Sequence, residues 1–480
     1  MIEVINYLKK ISYADYIFYF LTLAIFFVFL MPFMHYTVLN LVKVTSGGIV
    51  SYFNDTLAAN IYLFIDRYYI FYTVLGVASV AIFLNKRIFS EVIELFSSFN
   101  LSIRYAIALF FIFGVISSVF AISPSIAFKG VSVTFLQFFC ILFIAVYIRD
   151  NSKAVRFFYT IILLSLIFFW GSLFLQLSLA NYSVYGSYIA GNIQKVLLYM
   201  YNCLNPRFLD NYFSWFMPLL LLPWFVDLRP IYKLGSFIAL ILAWFILINH
   251  GFRTIFAEYI IILPLLYIFA RRYFKIAFVV LVLALVCAGL LELFYNYFIA
   301  VVDHSNVKSS ADLVRGGFSG RIPLWKEAFW VGVEYPLTGV GQWNYLAITK
   351  RPDGYPHNLL LEIWSQWGIP AFIAAAVVII TTVRNLYKKR LEICLNPYQC
   401  IFVMMLTAGM IDGMLNAMFK TSLGLFGCVF VFGFCLSIFV KQPQQDTSVS
   451  ATSYAIVGLS IFASIFCIAI LPLIFPPLWI

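Results

Sequence analysis

The sequence predicts an all-α polytopic membrane protein of about 12–14 transmembrane helices with one large loop on the non-cytoplasmic side. Three observations carry that prediction. The 480-residue chain is 64% hydrophobic and 11% charged, more apolar surface than a soluble fold of that length can hide. The apolar residues come in runs of roughly 20, the length a helix needs to cross the hydrocarbon layer. Runs such as 279–291 are apolar throughout instead of alternating, which argues against a transmembrane barrel built from short two-faced strands.

About thirteen such runs follow one another: 14–38, 67–84, 103–122, 130–148, 157–180, 211–227, 234–250, 252–270, 273–301, 358–383, 398–416, 421–440 and 453–475. The first starts after Lys9 and Lys10 and shows no small-residue cleavage site, so it reads as a retained anchor. With the N-terminus inside and the runs alternating, more than half of the 31 Lys and Arg fall in inner segments. These include Lys86, Arg87 and Arg104; Arg149, Lys153 and Arg156; Arg271, Arg272 and Lys275; and Arg384, Lys388, Lys389 and Arg390. Cytoplasmic loops retain such residues, so the net charge of +11 mostly reports orientation and implies no nucleic-acid partner. Pro472, Pro476 and Pro477 interrupt the final run, and the side on which the chain ends stays open. The eight Cys make neither a disulfide framework nor a metal spacing.

This alternation divides the chain into helices over 1–301, a large outer loop over 302–357, and C-terminal helices over 358–480. A smaller outer loop, 181–211, is rich in Tyr and Asn. The large loop breaks the charge rule by holding Lys308, Arg315, Arg321, Lys326, Lys350 and Arg351. Within it, 323–333 reads as an interfacial helix: Pro323 suits a first helical turn, and Trp325 and Trp330 suit the headgroup layer. The plainer alternative is a simple membrane-lying anchor.

Three residues stand out chemically. His357 lies just before the run that starts at 359, where the positive end of a helix dipole favours the neutral imidazole, able to take a proton from a hydroxyl. The alternative is a helix-entry residue with only a local bond. Arg253 sits between two apolar runs with almost no loop to solvate it, a costly position for a cation without a cavity or partner. Snorkelling to the headgroups is the alternative there. Arg321 follows Gly316, Gly317 and Gly320, which let the backbone approach a ligand, unless it is simply a solvated loop charge. Two arginines at a membrane surface offer paired donors for phosphate oxygens, and a neutral histidine beside them can activate a hydroxyl. A lipid-linked diphosphate fits such a place, and the implied reaction is group transfer to an acceptor hydroxyl. Asp303, His304 and Asp312 are too irregularly spaced for a metal site, so neither metal nor cofactor is expected. Glu258 and Glu362 also lie in apparent spans and read as buried structural carboxylates, with pairing to Arg253 or orientation of the histidine as alternatives.

The ordered set Ser319-Gly320-Arg321, Trp325, Pro336-Leu337-Thr338-Gly339-Val340-Gly341, His357-Asn358 and Gly368-Ile369 resembles the O-antigen ligase and polymerase superfamily. The resemblance is most specific over 315–370 and extends more loosely to Arg253 and to Asn205-Pro206-Arg207-Phe208. It implies a metal-independent glycosyltransferase of the bacterial inner membrane, with its active site facing the periplasm. The donor would be a glycan on undecaprenyl diphosphate. The acceptor would be lipid A–core for a ligase, or a second carrier-linked repeat unit for a polymerase, and the ligase is favoured. By this resemblance Arg253 and Arg321 hold the diphosphate and His357 is the base. Arg207, Arg315, Trp325 and Asn358 complete the expected substrate-binding set. A lipid-linked glycan transporter, or a non-catalytic partner of a polysaccharide machine, remains the alternative from another class. The clustering of polar groups at one surface, without paired halves, counts against transport.

Overall fold

The structure, a computed structural model, describes residues 12–43, 68–149, 151–185, 208–250, 253–303, 321–349, 355–416, 418–440 and 451–469. Among them there are helices and turns and no strand, as expected where the lipid offers backbone groups no partner and helices satisfy them internally. Seven helices are long and apolar enough to span a membrane, or eight if one bent pair counts as a span, and shorter apolar helices accompany them.

In chain order the helices are α1 (Tyr13–Lys43), α2 (Tyr68–Leu84), α3 (Lys86–Ser98), α4 (Leu101–Val119), α5 (Pro124–Ile148) and α6 (Ser152–Tyr185). Next come α7 (Phe208–Phe216), α8 (Leu222–Phe225), α9 (Pro230–His250), α10 (Arg253–Phe269) and α11 (Arg271–Asp303). The remainder are α12 (Arg321–Glu334), α13 (Tyr345–Thr349), α14 (Leu359–Lys388), α15 (Arg390–Leu395), α16 (Pro397–Leu415), α17 (Ser422–Ser437) and α18 (Ala451–Ala469).

Two elements differ from the sequence reading. The run 211–227, expected as one span, is broken into α7, a 3-10 turn at Pro218–Leu221 and α8. Pro218 and Pro223 account for the break, because each lacks the N–H that a continuous helix would use. The stretch after Leu84, read as an inner loop, is the helix α3, which turns 99° away from α2. Asn85 caps it by accepting from the Ile88 amide at 3.1 Å. Ile88, Phe89, Val92 and Leu95 form its buried stripe, at helical spacing. A window sized for a full span passes over so short an amphipathic segment.

The two ends of the bundle carry different chemistry. At one end Lys389, between α14 and α15, donates to the Ile438 carbonyl at 2.8 Å. Arg156 at the head of α6 donates to the Tyr398 hydroxyl at 3.1 Å, and Tyr273 at the head of α11 donates to the Leu395 carbonyl at 3.4 Å. The guanidinium groups of Arg271 and Arg390 lie over the rings of Tyr267 and Tyr387. These are the residues that the charge pattern assigns to the inner side. At the opposite end the heads of α7, α10, α12, α14 and α17 gather around the last turn of α16.

Candidate functional site

The last turn of α16 leaves carbonyls without intrahelical partners, and the helix carries a carboxylate, Asp412, with no solvent exposure. A charge in such a place persists only with hydrogen-bond partners. Asn211, in the first turn of α7, donates from Nδ2 to Asp412 Oδ2 at 2.6 Å. Asn416, the residue after α16, donates from Nδ2 to Asp412 Oδ1. The same Asn416 nitrogen also donates to Thr254 Oγ1 at 3.1 Å. Thr421, the N-cap of α17, donates to Asn211 Oδ1 at 2.9 Å and accepts from the Gly424 amide at 3.0 Å. All five side chains are buried.

Arg321 joins this network from the head of α12, where its Nη2 donates to Asn416 Oδ1 at 2.6 Å. Arg253 is the first residue of α10, so its neighbour Thr254 ties that helix head to the same asparagine. Glu258, one turn further along α10, is fully buried and accepts from Ser214 Oγ at 2.7 Å, a structural bond between α10 and α7. Asn358 is the N-cap of α14: Oδ1 accepts from the Leu361 amide at 3.1 Å, and Nδ2 donates to the Met414 carbonyl at 3.1 Å. Its carboxamide therefore stitches the head of α14 to the end of α16.

His357 immediately precedes that cap. It is half-buried, its ring meets the edge of Tyr355 with centroids 4.7 Å apart, and its backbone has φ of 53°. That left-handed conformation is uncommon for a residue with a side chain, and strain of this kind concentrates at working sites. Glu362 is half-buried in the first turn of α14, with its amide donating to the Asn358 carbonyl at 2.8 Å. Arg207 and Arg315 lie outside the described residues, as do Ser319 and Gly320.

The stretch 323–333 is helical, within α12, and its packing is defined. Leu324, Ala328 and Val331 form a buried stripe against α14, while Phe329 stacks on Trp364 with centroids 5.8 Å apart. Trp325, one turn after Arg321, is half-buried, whereas Ile322, Phe329, Trp330 and Val333 remain exposed on another face. A helix apolar on two sides can pack on the protein with one and meet lipid with the other.

The Pro336–Gly341 motif has a structural reason. The helix α14 breaks at Gly368 (φ 79°, ψ 178°), just before Pro370, which frees the carbonyls of Ser365 and Gln366. The loop supplies their partners: Val340 donates to Ser365 O at 3.0 Å and Gly341 to Gln366 O at 2.9 Å. The Ile369 amide in return donates to Pro336 O at 2.8 Å. Asn344 then pins the loop to the head of α5, accepting from the Ser123 amide at 2.7 Å and donating to its carbonyl at 3.3 Å. The motif is thus a clamp that repairs a broken span and ties residues 336–344 to α14 and α5.

Residues 238–376 match the family model described as O-antigen ligase. This segment is similar to the O-antigen ligase family. It runs from within α9 to within α14 and includes Arg253, Arg321, the clamp and His357. No curated protein matches the chain significantly. Helices outside the matched segment contribute to the same cluster, since the end of α16 supplies groups that bond to Arg321 and Asn358.

The residues that sequence reasoning missed are Asp412, Asn416, Asn211 and Thr421. One signal was legible: Asp412 is a carboxylate within the apolar run 398–416, where a charge needs a reason. Asn416, Asn211 and Thr421 are ordinary near helix ends and had no signature of their own. Among the described residues no three His, Cys, Asp or Glu side chains gather as a metal site would require.

The convergence also has an electrostatic consequence. Helix heads present unpaired amides and a partial positive charge, so α7, α10, α12, α14 and α17 jointly favour an anion at their meeting place. Arg321 adds a full charge with planar donors suited to phosphate oxygens. Two buried carboxylates oppose this field: Asp412, whose oxygens accept from Asn211 and Asn416, and Glu258, which accepts from Ser214.

Proposed function

We propose that this protein is a metal-independent glycosyltransferase of the O-antigen ligase type. It moves a glycan from undecaprenyl diphosphate to a hydroxyl of lipid A–core at the periplasmic face of the inner membrane. The observation that carries the proposal is the tie of Arg321 and of the His357-Asn358 helix entry to residues 414 and 416, within one turn of each other at a single bundle end. The Arg253 helix head joins the same point through Thr254.

In this reading the lipid tail stays in the bilayer while Arg253 and Arg321 bind the diphosphate, and Arg207, Arg315, Trp325 and Asn358 complete the substrate-binding set. The acceptor oxygen forms a bond to the sugar carbon as that carbon's bond to the diphosphate breaks. His357 takes the hydroxyl proton, and undecaprenyl diphosphate departs with the bonding electron pair. The arginines stabilise the charge that grows on the departing group, the task a divalent cation performs elsewhere. Asn358 holds the base in place by fixing the helix entry that follows it. The outer loop 302–357 then acts as the catalytic unit between two blocks of spanning helices.

A polymerase uses the same machinery with a carrier-linked acceptor, and the family match covers both. Transport is less well supported, because the polar groups meet at one bundle end and not midway along broken helices. The test is transfer by purified Arg321→Ala and His357→Ala. Each should lose about 100-fold or more in rate while the helical content is kept. Wild-type rates in both variants would contradict the assignment.

A further inference from the structure

A groove of about 670 Å³ runs along α2 from Tyr69 to Leu84, about 22 Å of helix, with Leu136 of α5 and Ile465 and Ile468 of α18 on its other walls. Gly76 opens its middle, since the nearest atom to a Cβ built there is Ile465 Cγ1 at 3.7 Å. Tyr69, Val77 and Leu84 are exposed along it, so it faces the surrounding lipid. No charged residue lines the groove, but Lys129 stands at its Tyr69 end. From the second turn of α5 its ammonium lies 5.3 Å from the centre of the Tyr69 ring and 4.9 Å from that of Tyr72. Among the described residues it has no carboxylate partner. Two ring faces attract a cation without neutralising it, and a lysine inside a span is costly until an anion reaches it.

We infer that this groove binds one phospholipid with an anionic headgroup, its acyl chain lying along α2 and its phosphate against Lys129. An apolar channel with a cation at one end is complementary to such a lipid along its whole length. A zwitterionic headgroup carries its own cation and neutralises Lys129 less well. The lipid-linked donor is a poorer occupant, because the helices lining the groove, α1, α2, α5 and α18, carry none of Arg253, Arg321 and His357. The headgroup end also touches the clamp. The Tyr72 ring lies 6.3 Å from that of Trp343, and Gln342 donates to Thr134 Oγ1 at 3.2 Å, one turn beyond Gly130. A bound headgroup therefore steadies residues 342–343 together with the head of α2.

The full-length protein, delipidated in detergent, is titrated with phosphatidylglycerol or phosphatidylcholine and followed by native mass spectrometry. The wild type should hold one phosphatidylglycerol about fivefold or more tighter than phosphatidylcholine. Lys129→Gln should lose that preference and Lys129→Arg should keep it, while Gly76→Leu, which fills the groove, should weaken both lipids alike. Phosphatidylglycerol should also raise the Tm of the wild type but not that of Lys129→Gln, which separates lost lipid from lost structure. Equal affinity of the wild type for the two lipids, or a preference that survives Lys129→Gln, would overturn the inference. Displacement of phosphatidylglycerol one for one by undecaprenyl phosphate would assign the groove to the carrier instead. A lipid-free dimer that Gly76→Leu disrupts would assign it to a second copy of the chain, and either result also overturns the inference.

Discussion

At the scale of single residues, the site depends on side chains whose surroundings differ. Arg321 donates a short bond to a buried amide, which orients it before any ligand arrives. Arg321→Lys keeps the charge but loses the planar fork, and donor transfer should fall by about tenfold or more without unfolding. Equal rates for the two proteins would show that charge alone suffices. His357 is constrained differently, through a backbone with φ of 53°. His357→Gly and His357→Ala should both abolish transfer, but the glycine variant should be the more heat-stable, by about 0.5–1 kcal/mol, since it adopts that backbone without strain. Thermal unfolding in detergent reads the difference, and an alanine variant as stable as the glycine one would remove the strain argument. The sequence singled out Arg253 as a costly position, His357 as a helix-entry position and Arg321 as a charge following loop glycines. Asn416 was not, because its importance comes from bridging two residues that are remote in sequence or on the next turn.

At the scale of elements, most spans could be read because the hydrocarbon layer sets their length and lipid forbids unpaired backbone. Where the structure departs from the reading, a local rule won: two prolines divide 211–227, and α3 is too short to register as a span. The pairing of Pro336–Gly341 with the break at Gly368 could not be read, since nothing in either segment names the other. Gly339 has φ of 62°, and a Cβ there would lie 2.3 Å from the Gln366 carbonyl carbon. At Gly368 the Cβ would lie 2.6 Å from the Leu337 carbonyl oxygen, on a backbone that other residues avoid. Gly339→Ala and Gly368→Ala should each destabilise the protein by about 2 kcal/mol or more and loosen the segment between Arg321 and His357. Limited proteolysis of the loop and thermal unfolding check this, and wild-type behaviour in both variants would reduce the clamp to a passive turn.

At the scale of the whole molecule, Arg156, Arg271, Lys389 and Arg390 lie at the opposite end of the bundle from the polar network, the arrangement that the positive-inside rule associates with the two faces of a membrane. The orientation can be measured. In a background with Cys203→Ser and Cys394→Ser, Glu334→Cys should react with a membrane-impermeant thiol reagent applied from outside. Leu391→Cys, exposed on α15, should react only after permeabilisation. The reverse pattern would place the site on the wrong face for a periplasmic acceptor. The most direct test of the central claim is a cell-free reaction with purified protein, a glycan on undecaprenyl diphosphate, and EDTA present throughout. Lipid A–core and a carrier-linked repeat unit are offered as acceptors in separate reactions. Glycan transferred to lipid A–core despite chelation is the predicted result; lengthened carrier-linked chains alone would contradict the ligase assignment, and bound donor with no transfer to either acceptor would contradict the enzyme itself.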